Sequence, residues 1–589
     1  MEPHEELAEN LGRAMALGSQ ALVRWRELSA QAPPDALEGL RGAFDEALRR
    51  LATEPERLAA ANQELGERLG RLWEDARRRS QEPPGAAPTR PARGDRRYRD
   101  AAWDTHPWLD LLRRGHQVGA EWLQQMVEHA PGLEPHTARQ ARFFARQLSD
   151  ALSPANSPLL NPEVLRTTLE TRGRNLVRGM ERLREDVERG QGLLVPRMVP
   201  PRAFQLGRDL AATPGEVIYE APLFQLIQYR PTTTCVYRRP LVIIPPWINK
   251  YYVLDLRPEN SFIRWAVEHG YTVFLLSWAN PDERFADLDL EDYLLQGLVP
   301  ALDAVERATG ERQVLALGYC SGGTLLAAAL AWWAARGEER VQCATLLAAQ
   351  VDFSDPGDLG VFIDPAQLER LEDTMRQRGY LEGSALMNTF NLLRAGDLLW
   401  SFAVDGYLLG REPSPLDFLY WNSDPTRLPA RAHATYLREL YLRNRLVQPG
   451  ALSFGGVPLD LRRIQVPLYL LAAREDHIAP ARSVYQATRH VSGPVRFVLA
   501  GSGHVAGIVH PPATGRYGYR VWERDEPAPS FQAWQEGARE YPGSWWTDWD
   551  AWLVPHAGPH TPPRPPGGGE LVPLEPAPGR YVRVRAMAE

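Results

Sequence analysis

The sequence predicts an α/β fold, a largely parallel sheet covered by helices on both faces and preceded by a helical domain. Three observations carry this reading. Five short apolar runs, "RPLVIIPP", "YTVFLLSW", "RQVLALGYC", "VPLYLLAA" and "VRFVLAGS", fall between residues 239 and 502, with helical stretches between most of them. Runs of that length and character are the signature of strands buried on both faces. The chain before about residue 200 follows helical spacing instead, and glycines cluster behind the third run, where a sharp strand-to-helix turn needs them.

Taken in order, residues 1–95 read as a helical, partly flexible extension. They are rich in Ala, Leu, Glu and Arg, and "SQEPPGAAPTRPARG" closes them as a Pro/Gly/Arg linker. Residues 96–200 form a helical N-terminal domain, with Trp103, Trp108, Trp122, Phe143 and Phe144 spaced for packing between helices. Residues 201–589 form the catalytic domain. Within it, residues 355–455 are aromatic and leucine rich without clear strand runs, which predicts a mostly helical cap inserted over the sheet.

Composition excludes several classes. Three cysteines in 589 residues, at 235, 320 and 343, are too few for a secreted disulfide framework and lack paired metal-ligand spacing. The first residues carry acidic groups and no apolar signal core, so a cytoplasmic location is expected. The uncharged stretch from Val314 to Ala335 is long enough to span a bilayer, but its Gly-Tyr-Cys-Ser-Gly-Gly break fits a strand, a turn and a buried helix better. A formal charge of -7 gives no general attraction to nucleic acid. Of 67 Lys and Arg residues only Lys250 is a lysine, a hint that a compact ammonium is wanted there.

The chemistry concentrates in "VLALGYCSGGTLLAAALAWWAA", a strand, then Gly318-Tyr319-Cys320-Ser321-Gly322, then a helix. This is the nucleophile-elbow pattern G-x-S-x-G of α/β hydrolases with cysteine in place of serine. The helix N-terminus behind Cys320 favours a thiolate. Asp476 in "REDHIAP" and His504 in "GSGHVAG" each follow a predicted strand end, in the chain order nucleophile, acid, histidine that the fold expects. His504 is therefore the candidate base and Asp476 the residue that orients it. His477 competes as base, but neighbouring residues at a strand end point apart. Asp255 competes as acid and falls early in the chain, where a structural role suits it better.

An oxyanion hole needs two N–H groups, and Ser321 after the nucleophile supplies one. The other comes from "PPWINKYY", from Trp247 or Ile248, and the sequence leaves open which. A cysteine that attacks a thioester forms another thioester of nearly equal free energy, so the acyl group stays activated for transfer to an alcohol. Such chemistry must exclude water, and an aromatic cap meets that need.

The combination of "PPWINKYYVLDLRPENS", "GYCSGGT", "LDFLYWNSD", "REDHIAP", "GSGHVAG", "GSWWTDWDAWL" and "EPAPGRYV" resembles the polyhydroxyalkanoate synthases, nearest to the single-subunit class acting on short-chain 3-hydroxyacyl-CoA. The resemblance runs from about 97 to the C-terminus. It implies Cys320, Asp476 and His504 as a triad that holds the growing polyester as a thioester, with Asn249, Arg394 and His477 near the substrate or CoA channel. It also implies a homodimer at the surface of cytoplasmic polyester granules. CoA enters as the substrate's carrier; no other cofactor, no metal, no nucleic acid and no transmembrane segment is expected. A thioesterase or esterase of the same fold is the nearest alternative, and a granule scaffold with a decayed site is a more distant one.

Overall fold

The apolar runs become the centre of one sheet. In chain order its strands are β1 (Gly215–Ala221), β2 (Phe224–Tyr229), β3 (Leu241–Ile244), β4 (Val273–Trp278), β5 (Val314–Tyr319), β6 (Val341–Leu347), β7 (Leu468–Ala473), β8 (Val495–Ala500), β9 (Gly518–Val521), β10 (Arg539–Pro542) and β11 (Glu575–Pro576). They lie side by side in the order β10-β9-β8-β7-β6-β5-β3-β4-β2-β1-β11. The stretch β4-β3-β5-β6-β7-β8 is parallel throughout. Antiparallel strands extend both edges. Every residue of β3, β5 and β7 is buried, which is why these strands read as unbroken apolar runs.

The computed structural model describes residues 2–29, 37–81, 95–190, 193, 195–524 and 528–586. Most of the Pro/Gly/Arg segment, residues 82–94, lies outside the described residues. The chain divides into two units. One comprises Met1–Pro201 with Ala385–Pro415, and the other Arg202–Ser384 with Leu416–Glu589.

The first unit is helical, built on Pro3–Ser29, Leu37–Leu51, Pro55–Arg79, Pro107–Glu128, Pro135–Ala151 and Arg174–Arg189. Residues 1–95 and 96–200, read separately in the sequence, share a core here: Phe44, Ala47 and Leu51 pack with Val127, Ala141 and Ala145. Arg79 reaches Asp110 at 2.6 Å, and buried Arg113 meets the same carboxylate at 2.8 Å. Residues 385–415 belong to this unit because close packing and buried polar bonds tie them in. The Tyr407 hydroxyl donates to Asp186 (2.9 Å), Asn175 to the Leu408 carbonyl (2.7 Å) and Gln147 to the Leu392 carbonyl (3.0 Å). A Cβ on Gly179 would lie 1.8 Å from the Tyr407 carbonyl oxygen, so only glycine lets the backbones meet. The 355–455 insertion is thus divided, with residues 355–384 and 416–455 remaining in the sheet-bearing unit.

In that second unit, β6 escaped the sequence reading because Gln342 and Thr345 interrupt its apolar character. Buried Thr345 accepts a hydrogen bond from Trp549 Nε1 at 2.9 Å, which makes a polar residue tolerable in the core. Buried Gln225 and Gln228 disguise β2 in the same way, and Gln225 is bound by Glu220 at 2.8 Å.

Candidate active site

The loops after β3, β5, β7 and β8 all leave the same edge of the parallel strands, so residues remote in sequence meet at the carboxyl ends of the sheet. Cys320 stands between β5 and the helix Ser321–Arg336, at φ 52° and ψ −124°. That backbone is strained for a residue with a side chain, and such strain persists only where surroundings over-determine it. Here the Cys320 N–H donates to the Leu347 carbonyl (2.9 Å), and its own carbonyl accepts from Gly323 (2.9 Å) and Thr324 (3.1 Å). A Cβ at Gly318 would lie 2.5 Å from Gly323 Cα, and one at Gly322 would lie 2.2 Å from the Ile244 carbonyl oxygen. The glycines are there because strand, helix and the end of β3 touch backbone to backbone.

The Nδ1–H of His504 donates to Asp476 Oδ2 at 2.6 Å. The other carboxylate oxygen of Asp476 accepts from the N–H groups of Ile478 and Ala479, both at 2.9 Å, so the acid is held from two sides. The Cys320 sulfur lies close enough to the imidazole to act on its charge. Burial disfavours a charged imidazole, but the Asp476 carboxylate and the Cys320 sulfur outweigh it and hold His504 well above the usual histidine range. That environment favours the protonated imidazole.

The face over Cys320 is aromatic. Tyr436–Leu442 is wound as a π-helix, seen in the Arg443 N–H donating to the Arg438 carbonyl at 3.1 Å. This wider turn brings residues five apart towards one face, and the Tyr436 and Tyr441 rings meet edge-on with centroids 5.5 Å apart. Both phenols lie near the Cys320 sulfur, and Tyr436 also reaches Thr324. Burial first and then the nearby sulfur raise both above the usual tyrosine range, so they stay neutral. Phe353 packs on Tyr441 (4.7 Å between ring centroids), and Trp247 stacks on Tyr293 (4.7 Å) and meets Tyr436 edge-on (5.6 Å). The sequence reading did not single out Tyr436, Tyr441 or Phe353. Their only signal was a general aromatic richness.

The remaining expected residues are placed as follows. The Ser321 N–H is the first of its helix and has no intrahelical acceptor, while Ser321 Oγ is buried with no partner among the described residues. Trp247, Ile248 and Asn249 form the loop after β3. Asn249 has a left-handed backbone (φ 66°), and its N–H donates to Thr426 Oγ1 at 2.9 Å. His477 does not take the place of His504: its carbonyl accepts from the Asp358 N–H at 2.9 Å. Arg394 lies in the first unit, 3.3 Å from Asp397. Asp255 is buried, with Oδ1 accepting from Thr213 and Ser261 hydroxyls at 2.6 Å each; burial raises its carboxyl to about 6. Among the described residues no cluster of His, Cys, Asp and Glu could hold a metal ion, and no helix is long and apolar enough to cross a membrane.

Comparison with known proteins places this geometry. Residues 94–266 match the family described as "Poly-beta-hydroxybutyrate polymerase (PhaC) N-terminus", and residues 222–511 match "alpha/beta hydrolase fold". The chain is 47% identical to the poly(3-hydroxyalkanoate) polymerase of Methylorubrum extorquens, over 90% of this chain and 88% of that one. It is 44% identical to the poly(3-hydroxyalkanoate) polymerase subunit PhaC of Rhizobium meliloti (99% and 95% covered) and 41% identical to that of Cupriavidus necator (84% and 83% covered).

Proposed function

The chain belongs to the poly(3-hydroxyalkanoate) polymerase family, and from that membership we propose the route by which this acyltransferase builds a polyester on Cys320. The Cys320 thiol passes its proton to Nε2 of His504, and the sulfur attacks the thioester carbonyl of a 3-hydroxyacyl-CoA. The carbonyl electron pair moves onto oxygen, where the N–H of Ser321 and one from Trp247 or Ile248 bind it. As the carbon–sulfur bond to CoA breaks, the imidazolium returns its proton to the departing sulfur. The acyl group is left on Cys320 as a thioester.

In the second half His504 takes the proton of a 3-hydroxyl group, and that oxygen attacks the Cys320 thioester. An ester bond forms, the cysteine sulfur leaves, and the imidazolium gives it back its proton. Asp476 keeps Nδ1 protonated and stabilises the imidazolium in both halves. The observation that carries this reading is a single imidazole that is bonded to Asp476 and stands beside the Cys320 sulfur.

Further parts of the reading rest on the same membership. Asn249, Arg394 and His477 contact the substrate or its CoA carrier. The enzyme works as a homodimer at the surface of cytoplasmic polyester granules and needs no bound cofactor.

The test is purified full-length protein given 3-hydroxybutyryl-CoA, with free thiol and insoluble polymer followed together. Both rise in step, and Cys320→Ala yields neither. Thiol without polymer would mark a thioesterase or esterase, and polymer from Cys320→Ala would remove Cys320 from the reaction.

A further inference from the structure

Lys250, the only lysine of the chain, is buried in the loop that follows β3. Its side chain is 4% exposed and its ammonium lies 2.8 Å from Asp424 Oδ1 and 2.9 Å from Oδ2, with the Asp424 side chain 3% exposed. The Tyr252 hydroxyl donates to Oδ2 of the same carboxylate at 3.0 Å. A buried ion pair contributes little net stability, because desolvation offsets the attraction. Its value is geometric. An ammonium is compact enough for this site, where a planar guanidinium would need more room and more acceptors.

The pair is one of three pins between this loop and residues 421–426. Trp421 Nε1 donates to the Lys250 carbonyl at 2.6 Å. The Thr426 hydroxyl donates to the Trp247 carbonyl (3.0 Å) and accepts from the Asn249 N–H (2.9 Å). Trp247, Asn249 and Lys250 are thus all held from one segment, with Ile248 between them. The left-handed backbone at Asn249 is costly for a residue with a side chain, so the loop needs such external restraint.

We propose that the Lys250–Asp424 pair is a positioning latch for the oxyanion loop: with Trp421 and Thr426 it fixes where the N–H groups of Trp247 and Ile248 sit relative to Cys320. This rests on the reading that the loop after β3 supplies the second oxyanion donor. Lys250 and Asp424 touch no substrate in this proposal. They act through the backbone they hold.

The test compares wild type with Lys250→Met/Asp424→Leu, which leaves no lone buried charge, and with Thr426→Val, which keeps the pair and removes a pin. Four quantities are read: melting temperature, alkylation of Cys320 by iodoacetamide followed on its own peptide, CoA release, and inhibition by a trifluoromethyl-ketone analogue of the thioester. Alkylation reports the thiolate alone, whereas the ketone adduct places an oxyanion in the hole. In the double variant CoA release and ketone affinity fall together by roughly 100-fold, the loss typical of a displaced oxyanion donor, while alkylation stays within about twofold. Thr426→Val shows the same pattern at roughly tenfold and decides the matter if the double variant does not fold. Unchanged CoA release in either folded variant, or alkylation falling in step with it, overturns the latch. Wild type that resists the ketone, or binds it equally well as Cys320→Ala, overturns the underlying oxyanion reading instead.

Discussion

The Tyr319 hydroxyl donates to the backbone carbonyl of His504 at 2.9 Å, and the two rings stack with centroids 5.6 Å apart. Tyr319 is the last residue of β5 and the neighbour of Cys320, so the strand that leads to Cys320 also holds the loop that carries His504. Removing the hydroxyl in Tyr319→Phe takes away one bond of about 1 kcal/mol and leaves the ring in place. CoA release falls roughly tenfold, as the imidazole loses its fixed distance to sulfur, while the melting temperature drops by only a few degrees. Unaltered turnover in steady-state thiol assays would show that the base loop is fixed by other contacts.

The charge balance around His504 sets the pH profile. Its raised pKa keeps the imidazolium present above the usual histidine value, and that proton is needed by the departing CoA sulfur. Activity is therefore lost as pH rises through the folded-state pKa. Asp476→Asn removes the larger of the two raising influences, so the alkaline limb of kcat/KM moves to lower pH, and the rate falls roughly 10⁴-fold as the tautomer is lost. The profile of CoA release against pH checks this. A limb that moves to higher pH contradicts the assignment of Asp476.

Crowding at the elbow separates two glycines of one helix. A methyl at Gly322 would meet the carbonyls of Ile244 and Pro245 at 2.2 and 2.5 Å, both backbone atoms that can yield only by parting β3 from the nucleophile turn. Gly322→Ala costs about 3 kcal/mol and abolishes CoA release. At the other end, Gly337 has φ 68° and open space around it, so Gly337→Ala costs about 1 kcal/mol and leaves turnover intact. Chemical denaturation of both variants gives the comparison, and equal losses would mean that helix propensity alone governs them.

Cys320, Asp476 and His504 were legible as candidates because each follows a mostly apolar strand: Cys320 directly, and Asp476 and His504 within the short loops after Ala473 and Ala500. The choice of the loop after β3 as the candidate oxyanion loop followed the same logic. Tyr436 and Tyr441 were not legible. Five residues apart, they fall on no common face of an α-helix, and only the π-helical turn brings their rings together. The division of the 355–455 insertion was hidden for a different reason. It depends on Gly179 admitting the Tyr407 backbone, a contact across 228 positions that leaves no local pattern. Strand β6 was missed where Thr345 paired with Trp549 far down the chain.

On the proposed route, the aromatic face over Cys320 keeps water from the thioester. Tyr436 and Phe353 are buried, and the rings of Tyr436, Tyr441 and Phe353 pack on one another. Water that reached the thioester would compete with the 3-hydroxyl group at every cycle. Tyr441→Ala removes a ring packed on Phe353 and opens space beside the sulfur. It therefore raises the fraction of acyl groups released as free 3-hydroxy acid severalfold at nearly unchanged CoA release. Tyr441→Phe keeps the ring and loses only the hydroxyl, so its product ratio stays near wild type. Chromatography of free acid against recovered polymer distinguishes the two. If Tyr441→Ala makes polymer as cleanly as wild type, water is held out by something other than this face, and the partition between ester and acid must be set by how fast the hydroxyl arrives.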